Sequence, residues 1–271
     1  MSKPIVLFDM DGTLSPARQP VVDGMLEKLI ELSLLSDIGI VTGSGISYIK
    51  QQCECILENI SKFDSSLTLF PCNGTQVYRI SSRSNIKNVF SENMRMSICD
   101  IFNEVLHFLS QEQSSFISTI VKQEGRNTLQ LSGTFIQYRS SMINWCPIGR
   151  DATHFDRETF IRIDEKEKIR EKLIKRLNKQ KNKKGWNIQF ALGGSTSIDI
   201  YPEGWDKTFA LKHINADERD VYFVGDRCGD DGNDKAIYEK IRSIDENMAY
   251  ETSSPQETLE IIDKIQKNIL R

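Results

Sequence analysis

The stretch Pro4-Ile5-Val6-Leu7-Phe8-Asp9-Met10-Asp11-Gly12-Thr13-Leu14 decides how the rest of this chain is read. Its uninterrupted apolar run predicts a strand buried on both faces, as in parallel sheets. Open α/β sheets collect their chemistry at the carboxyl ends of such strands. Residues two apart in an extended strand share a face, so Asp9 and Asp11 are expected to point the same way. Two carboxylates that close need a cation or a shared proton. A hard divalent metal, magnesium, with phosphate nearby is the simplest solution. The plainer alternative is a strand end closed by an Asp-Gly turn.

Working outward, apolar strand-like runs recur at 38–41, 67–70 and 221–224. Helical spacing is expected at 21–35, about 46–58, 207–214, 234–241 and 256–270. Strands alternating with helices predict a parallel sheet covered on both faces. Between about 83 and 203 the character changes. A helix at about 92–111 is followed by strand-like stretches at 116–121, 127–131 and 134–138. A helix at 166–180 and strands at 186–191 and 197–201 complete this part. The expectation is an α/β protein: a parallel-sheet, Rossmann-like core of residues 1–82 and 204–271, with an inserted α+β domain of residues 83–203.

Bulk composition bounds the function. The chain has 271 residues, 39% hydrophobic and 27% charged, which suits a globular protein of one large or two modest domains. A net charge of −3 offers nothing to nucleic acid or to a membrane surface. No run approaches transmembrane length, and no secretory leader is recognisable. The six cysteines form no Cys-x-x-Cys pair, so zinc is not expected and free thiols suit a reducing, cytoplasmic setting. The basic run at 179–184 reads as a solvated helix end.

The opening stretch resembles the nucleophile motif of the haloacid dehalogenase-like phosphotransferases. That resemblance implies Asp9 as the nucleophile toward phosphorus and Asp11 as general acid and base. Three further strand ends fit it. Thr42, with Ser44 close behind, offers hydroxyls to a phosphoryl oxygen. Lys207 supplies a point charge for the transition state. Gly225-Asp226, followed by Asp230-Asp231-Gly232-Asn233-Asp234, supplies carboxylate for magnesium. The implied metal site is Asp9, the backbone carbonyl of Asp11, and Asp226.

The inserted part narrows the resemblance. Gly133-Thr134-Phe135-Ile136-Gln137-Tyr138-Arg139, Met142, Pro147-Ile148-Gly149-Arg150, Gly193-Gly194, Ser197-Ile198-Asp199 and Tyr201-Pro202 are similar to eukaryotic-type phosphomannomutases, as is Gly204-Trp205-Asp206-Lys207. The similarity runs over nearly the whole chain. It implies a cap in which Arg139, Arg150 and Arg157 contact phosphate and sugar, with Arg18 contributing from the core. Ser197 and Asp199 match residues that hydrogen-bond sugar hydroxyls. The implied reaction interconverts mannose 6-phosphate and mannose 1-phosphate through a hexose 1,6-bisphosphate, which also serves as activator, and feeds GDP-mannose synthesis. A homodimer through the cap is implied as well.

The chain departs from the family pattern in places. Arg227 and Cys228 alter the loop before Asp234, Cys72-Asn73-Gly74 lacks a glutamate, and Arg139-Ser140-Ser141-Met142 lacks a side-chain amide. These changes keep two alternatives open: a sugar-phosphate phosphatase with a similar cap, and a mutase with shifted preference toward glucose phosphates. A catalytically silent binding protein is disfavoured by the intact Asp9, Asp11, Thr42, Lys207 and Asp226.

Overall fold

The computed structural model describes residues 3–64, 67–82, 85–122, 129–216, 218–230 and 232–270. Along the chain these form β1 (Ile5–Phe8), α1 (Met25–Ser33), β2 (Asp37–Val41), α2 (Ile46–Gln52), α3 (Glu54–Glu58), β3 (Leu67–Phe70), β4 (Gln76–Ser82) and β5 (Asn85–Ser91). Next come α4 (Met94–Ser97), α5 (Phe102–Lys122), β6 (Ile136–Tyr138), β7 (Ile143–Trp145), α6 (His154–Glu167), α7 (Ile169–Lys184), β8 (Ile188–Gly193) and β9 (Ser197–Pro202). After a 3-10 helix at Lys207–His213 the chain closes with β10 (Val221–Gly225), α8 (Lys235–Arg242), β11 (Ala249–Glu251) and α9 (Pro255–Ile269).

Two compact units result: Met1–Ser91 with Gly204–Arg271, and Glu92–Glu203. The sequence-based boundary at 82/83 falls between β4 and β5. Those strands pair as an antiparallel hairpin, so β5 stays with the first unit's sheet. Its residues are mostly exposed, which leaves little apolar signal to read.

The first unit holds a seven-stranded sheet in the order β11-β10-β1-β2-β3-β4-β5. The strands from β11 to β3 run parallel, and β4 and β5 are antiparallel to their neighbours. Alternation along β1 divides its burial between two cores. Val6 and Phe8 pack with Met25, Leu29, Ile49, Ile56, Ile262 and Ile265 on one face. Ile5 and Leu7 pack with Phe223, Ala210, Ile237 and Ile241 on the other. A sheet covered on both faces is why its central strands read as unbroken apolar runs.

The second unit is a four-stranded antiparallel sheet, β6-β7-β9-β8. Ile143, Trp145, Ile198 and Ile200 are wholly buried. The neighbouring Leu173 and Leu177 of α7 are buried too. From α5, Gln113 accepts a 2.6 Å hydrogen bond from Trp145 Nε1 and donates one of 3.0 Å to the Pro147 carbonyl. The stretch at 116–121 is not a strand but the end of α5. Its β-branched residues favour a strand locally, yet Val105, Leu109, Gln113 and Phe116 recur at helical spacing as buried positions, and that packing overrides propensity. Of the strand expected at 127–131, residues 127 and 128 lie outside the described residues, and 129–131 form none. The helix expected at 46–58 breaks at Cys53, and α6 and α7 are separated by Lys168 in the left-handed region, at φ 54°.

Candidate active site

β1, β2 and β10 lie side by side and parallel, so their carboxyl ends open on one edge of the sheet. Asp9, Thr42 and Asp226 are the residues that follow these three strands. Asp9 is buried, and its backbone N–H continues the sheet by donating to the Val224 carbonyl at 2.9 Å. Thr42 is held the same way by the Phe70 carbonyl at 3.2 Å. Its hydroxyl accepts from the Ser44 N–H at 3.1 Å, which ties the two predicted phosphate-contacting hydroxyls into one turn.

Lys207 is the one fully buried lysine among the described residues. Its Nζ donates to Asp9 Oδ1 and to Asp234 Oδ1. Asp9, Asp226 and Asp234 each present an oxygen, and these oxygens lie within 4.8 Å of one another. Three carboxylates face one ammonium, so the cluster is short of positive charge. Burial pushes the Asp9 carboxyl up to about 8, against the pull of Lys207 and with help from Asp234. Burial, then Asp234, raises Asp226 to about 6. Burial alone would lower the Lys207 ammonium, but Asp234 and Asp9 outweigh it and hold it above its ordinary range.

These residues fit a divalent cation. Among the described residues Asp226 Oδ1 is buried with no hydrogen-bond partner, and a cation would satisfy it. The cation's space also depends on Gly12. At φ +88°, a Cβ on Gly12 would lie 2.2 Å from Asp226 Oδ2. The donor set is all oxygen, which suits a hard divalent cation over softer metals.

Asp234 was read in the sequence as part of a stretch supplying carboxylate for magnesium, but was not named among the ligands. The loop folds back so that the Asp234 N–H meets the Arg227 carbonyl at 3.1 Å and Asp234 Oδ2 accepts from the Arg227 N–H at 3.1 Å. Gly232 makes that closure feasible, since a Cβ there would lie 1.8 Å from the Arg227 carbonyl oxygen. The acid at Asp230 turns outward to Lys235, at 2.7 Å. Asp231 lies outside the described residues.

Asp11 does not share the cluster. The strand stops at Phe8 and the chain turns, closing with Gly12 N–H to the Ser15 carbonyl at 2.7 Å. Asp11 Oδ1 accepts from the Arg18 backbone N–H and from Gln52 Nε2, each at 2.9 Å. The Arg18 side chain is exposed. Gln52 is a residue that sequence reading missed: it is buried at the end of α2, where an amphipathic pattern treats glutamine as surface.

In the second unit, strand pairing and hydrogen bonds link several of the other expected residues. Asn144 of β7 sits between Gln137 of β6 and Asp199 of β9. Arg139 Nε donates to Gln137 Oε1 at 2.9 Å, and Arg150 Nη1 to Asn144 Oδ1 at 2.8 Å. Arg157 donates to the carbonyls of Arg150 at 2.6 Å and Ala152 at 3.3 Å, and to Thr196 Oγ1 at 3.1 Å. Its guanidinium therefore braces the segment carrying Arg150. Arg170, also missed in the sequence, pairs with Asp164 at 2.7 Å and donates to the Gly194 and Ser197 carbonyls, fixing the turn that carries Ser197.

A parallel sheet with an aspartate-rich carboxyl edge and an α+β unit drawn from the middle of the chain defines the haloacid dehalogenase-like class. An IMP-bound, N-terminally truncated IMP-nucleotidase from Plasmodium falciparum superposes with a TM-score of 0.64 at 14% identity, covering 97% of this chain and 68% of that one. The C-terminal domain of trehalose-6-phosphate phosphatase from C. albicans gives 0.58 at 15% identity, covering 97% and 92%. Likeness at such low identity establishes the shared fold alone.

Sequence comparison goes further. The eukaryotic phosphomannomutase model matches residues 25–268. Phosphomannomutase 1 of Mus musculus is 35% identical over 260 residues, covering 94% of this chain and 89% of that protein. The phosphomannomutases of Schizosaccharomyces pombe and Encephalitozoon cuniculi are 34% and 35% identical, covering 97% and 98% of this chain and 94% and 95% of theirs. The chain belongs to the eukaryotic phosphomannomutase family, and it is an enzyme of that family.

Proposed function

We propose that this enzyme interconverts mannose 6-phosphate and mannose 1-phosphate through a phosphorylated aspartate, with magnesium as its metal. The observation that carries the reading is the buried Asp9–Lys207–Asp234 bridge beside Asp226, at the strand ends of a chain from this family.

Asp9 is the nucleophile: its carboxylate oxygen bonds to phosphorus as the bond from phosphorus to the sugar oxygen breaks. Asp11 gives that leaving oxygen a proton and later takes one from the sugar hydroxyl that accepts the phosphoryl group. Its hydrogen bond from Gln52 holds the carboxylate in place for both transfers. Lys207, Thr42 and Ser44 offer charge and hydrogen bonds to the phosphoryl oxygens in the transition state. Magnesium, held by Asp9, Asp226 and the Asp11 backbone carbonyl, would screen the repulsion between carboxylate and phosphate dianion. Asp234 orients Lys207 and stands close enough to support the metal.

The second unit serves as a sugar-phosphate cap. Arg139, Arg150 and Arg157 take the phosphate that is not reacting, with Arg18 assisting, since guanidinium groups match phosphate oxygens in pairs. Ser197 and Asp199 take sugar hydroxyls. The same grip suits a hexose 1,6-bisphosphate as intermediate and activator. The enzyme works as a homodimer through the cap, in the cytoplasm, supplying GDP-mannose synthesis. Among the described residues no helix is long and apolar enough to cross a membrane.

The test is a phosphorus NMR time course with mannose 1-phosphate, magnesium and catalytic hexose 1,6-bisphosphate, repeated with glucose 1-phosphate. Growth of hexose 6-phosphate without inorganic phosphate is expected, faster from mannose. Inorganic phosphate alone would make water the acceptor and the enzyme a phosphatase.

A further inference from the structure

We infer that Asn144 is a positioning residue that couples the phosphate grip of Arg150 to the sugar reading of Asp199, so that it helps set sugar preference. The inference rests on the sugar-phosphate reading above and adds to it a residue assigned no role there. Asn144 lies on β7 directly opposite Asp199 on β9. It is only 3% exposed. Its Oδ1 accepts from Arg150 Nη1 at 2.8 Å, and its Nδ2 donates to Asp199 Oδ1 at 2.6 Å. The two charged neighbours fix the amide's orientation, because the flipped amide would set oxygen against carboxylate and NH₂ against guanidinium.

A buried amide committed this way is poorly placed to bind sugar directly. It transmits instead. Arg150 and Asp199 each hydrogen-bond the same amide, one through its oxygen and the other through its nitrogen, so Asn144 ties the two groups to one another. Gly193 supports the same arrangement, since a Cβ there would come within 2.7 Å of the Asp199 carboxylate. Displacing one end of the chain Arg150–Asn144–Asp199 therefore displaces the other.

The experiment measures kcat and KM for mannose 1-phosphate and glucose 1-phosphate in wild type, Asn144→Ala and Asn144→Asp. Magnesium-dependent hydrolysis of p-nitrophenyl phosphate normalises for intact enzyme. Asn144→Asp is nearly isosteric and keeps the acceptor for Arg150, so it remains informative should the alanine variant fold poorly. The expected result is a KM raised about tenfold or more, in line with losing a hydrogen bond to a charged group. kcat should fall less, and the ratio of kcat/KM for mannose over glucose phosphate should collapse toward one. A merely structural role would lower the yield of active enzyme but leave that ratio alone. Unchanged KM and ratio in Asn144→Asp would overturn the inference. Wild type releasing only inorganic phosphate would overturn the mutase reading instead, while the same comparison, run on hydrolysis, would still decide the role of Asn144.

Discussion

The two polar centres of this molecule are built on opposite principles. In the first unit, Asp9, Asp226 and Asp234 share a single ammonium, and one buried oxygen of Asp226 has no partner among the described residues. In the second, polar groups answer one another: Arg150 with Asn144, Asn144 with Asp199, Arg157 with two carbonyls and a hydroxyl, Arg170 with Asp164. An unbalanced buried centre is costly without the ion that completes it. A satisfied network holds its shape before any ligand arrives. Chemistry that moves charge benefits from the first kind, and recognition of a fixed shape benefits from the second.

The comparison can be broken most severely at Asp9, the proposed nucleophile. Asp9→Asn should lower turnover more than about 10³-fold with every phosphate ester, measured by steady-state kinetics. Residual activity near wild type would remove Asp9 from its role. Next in size is Gly12→Ala, whose added methyl displaces the Asp226 carboxylate. Magnesium affinity by calorimetry should fall about 100-fold, since the group is charged and its position constrained. Retained affinity would mean that the metal does not use this cluster.

A milder change is Gln52→Met, which keeps the volume but removes the donor to Asp11. kcat should drop about tenfold with KM nearly constant, measured by steady-state kinetics. In the second unit, Arg157→Leu should cost about 1–3 kcal/mol of stability by denaturant titration, because three acceptors lose their donor. A loss confined to KM, with stability intact, would make Arg157 a ligand contact and nothing more.

The smallest effect concerns pH. Asp9 and Asp226 have folded-state values raised to about 8 and about 6. From the ordinary carboxylate value of 3.8 up to these raised values the folded metal-free protein binds more protons than the unfolded chain, so these groups make it progressively less stable as pH rises through that range. Magnesium must displace those protons, so the rise in Tm that it causes should grow between about pH 6 and about pH 8. A magnesium effect independent of pH would indicate that the carboxylates are already ionised without it.

Much of the first centre was legible because its signals are local. An apolar strand followed by Asp9-x-Asp11-Gly12-Thr13 carries its meaning within eleven residues, and Thr42, Lys207 and Asp226 each follow a readable turn or strand. Asp234 was seen but left out of the ligand set, because only the closure of the 227–234 loop brings it beside Lys207. Gln52 and Asn144 were illegible for a different reason. A lone amide in a helix or strand reads as ordinary surface, and its burial is visible only when the partner appears, 41 residues away for Gln52 and Asp11 and 55 for Asn144 and Asp199. The Phe116–Val121 segment misled because β-branched composition outweighed a helical spacing that began upstream, at Val105.

By itself the sequence determined the class of sheet, the order of its catalytic strand ends and the family, since apolar runs, turn residues and motif spacing are properties of neighbouring residues. Only the tertiary structure decided which carboxylates meet and which arginines are already engaged. Asp9 and Lys207 are 198 residues apart, and their pairing exists only once burial brings both to one point, beside Asp234, in a medium that strengthens the attraction between opposite charges.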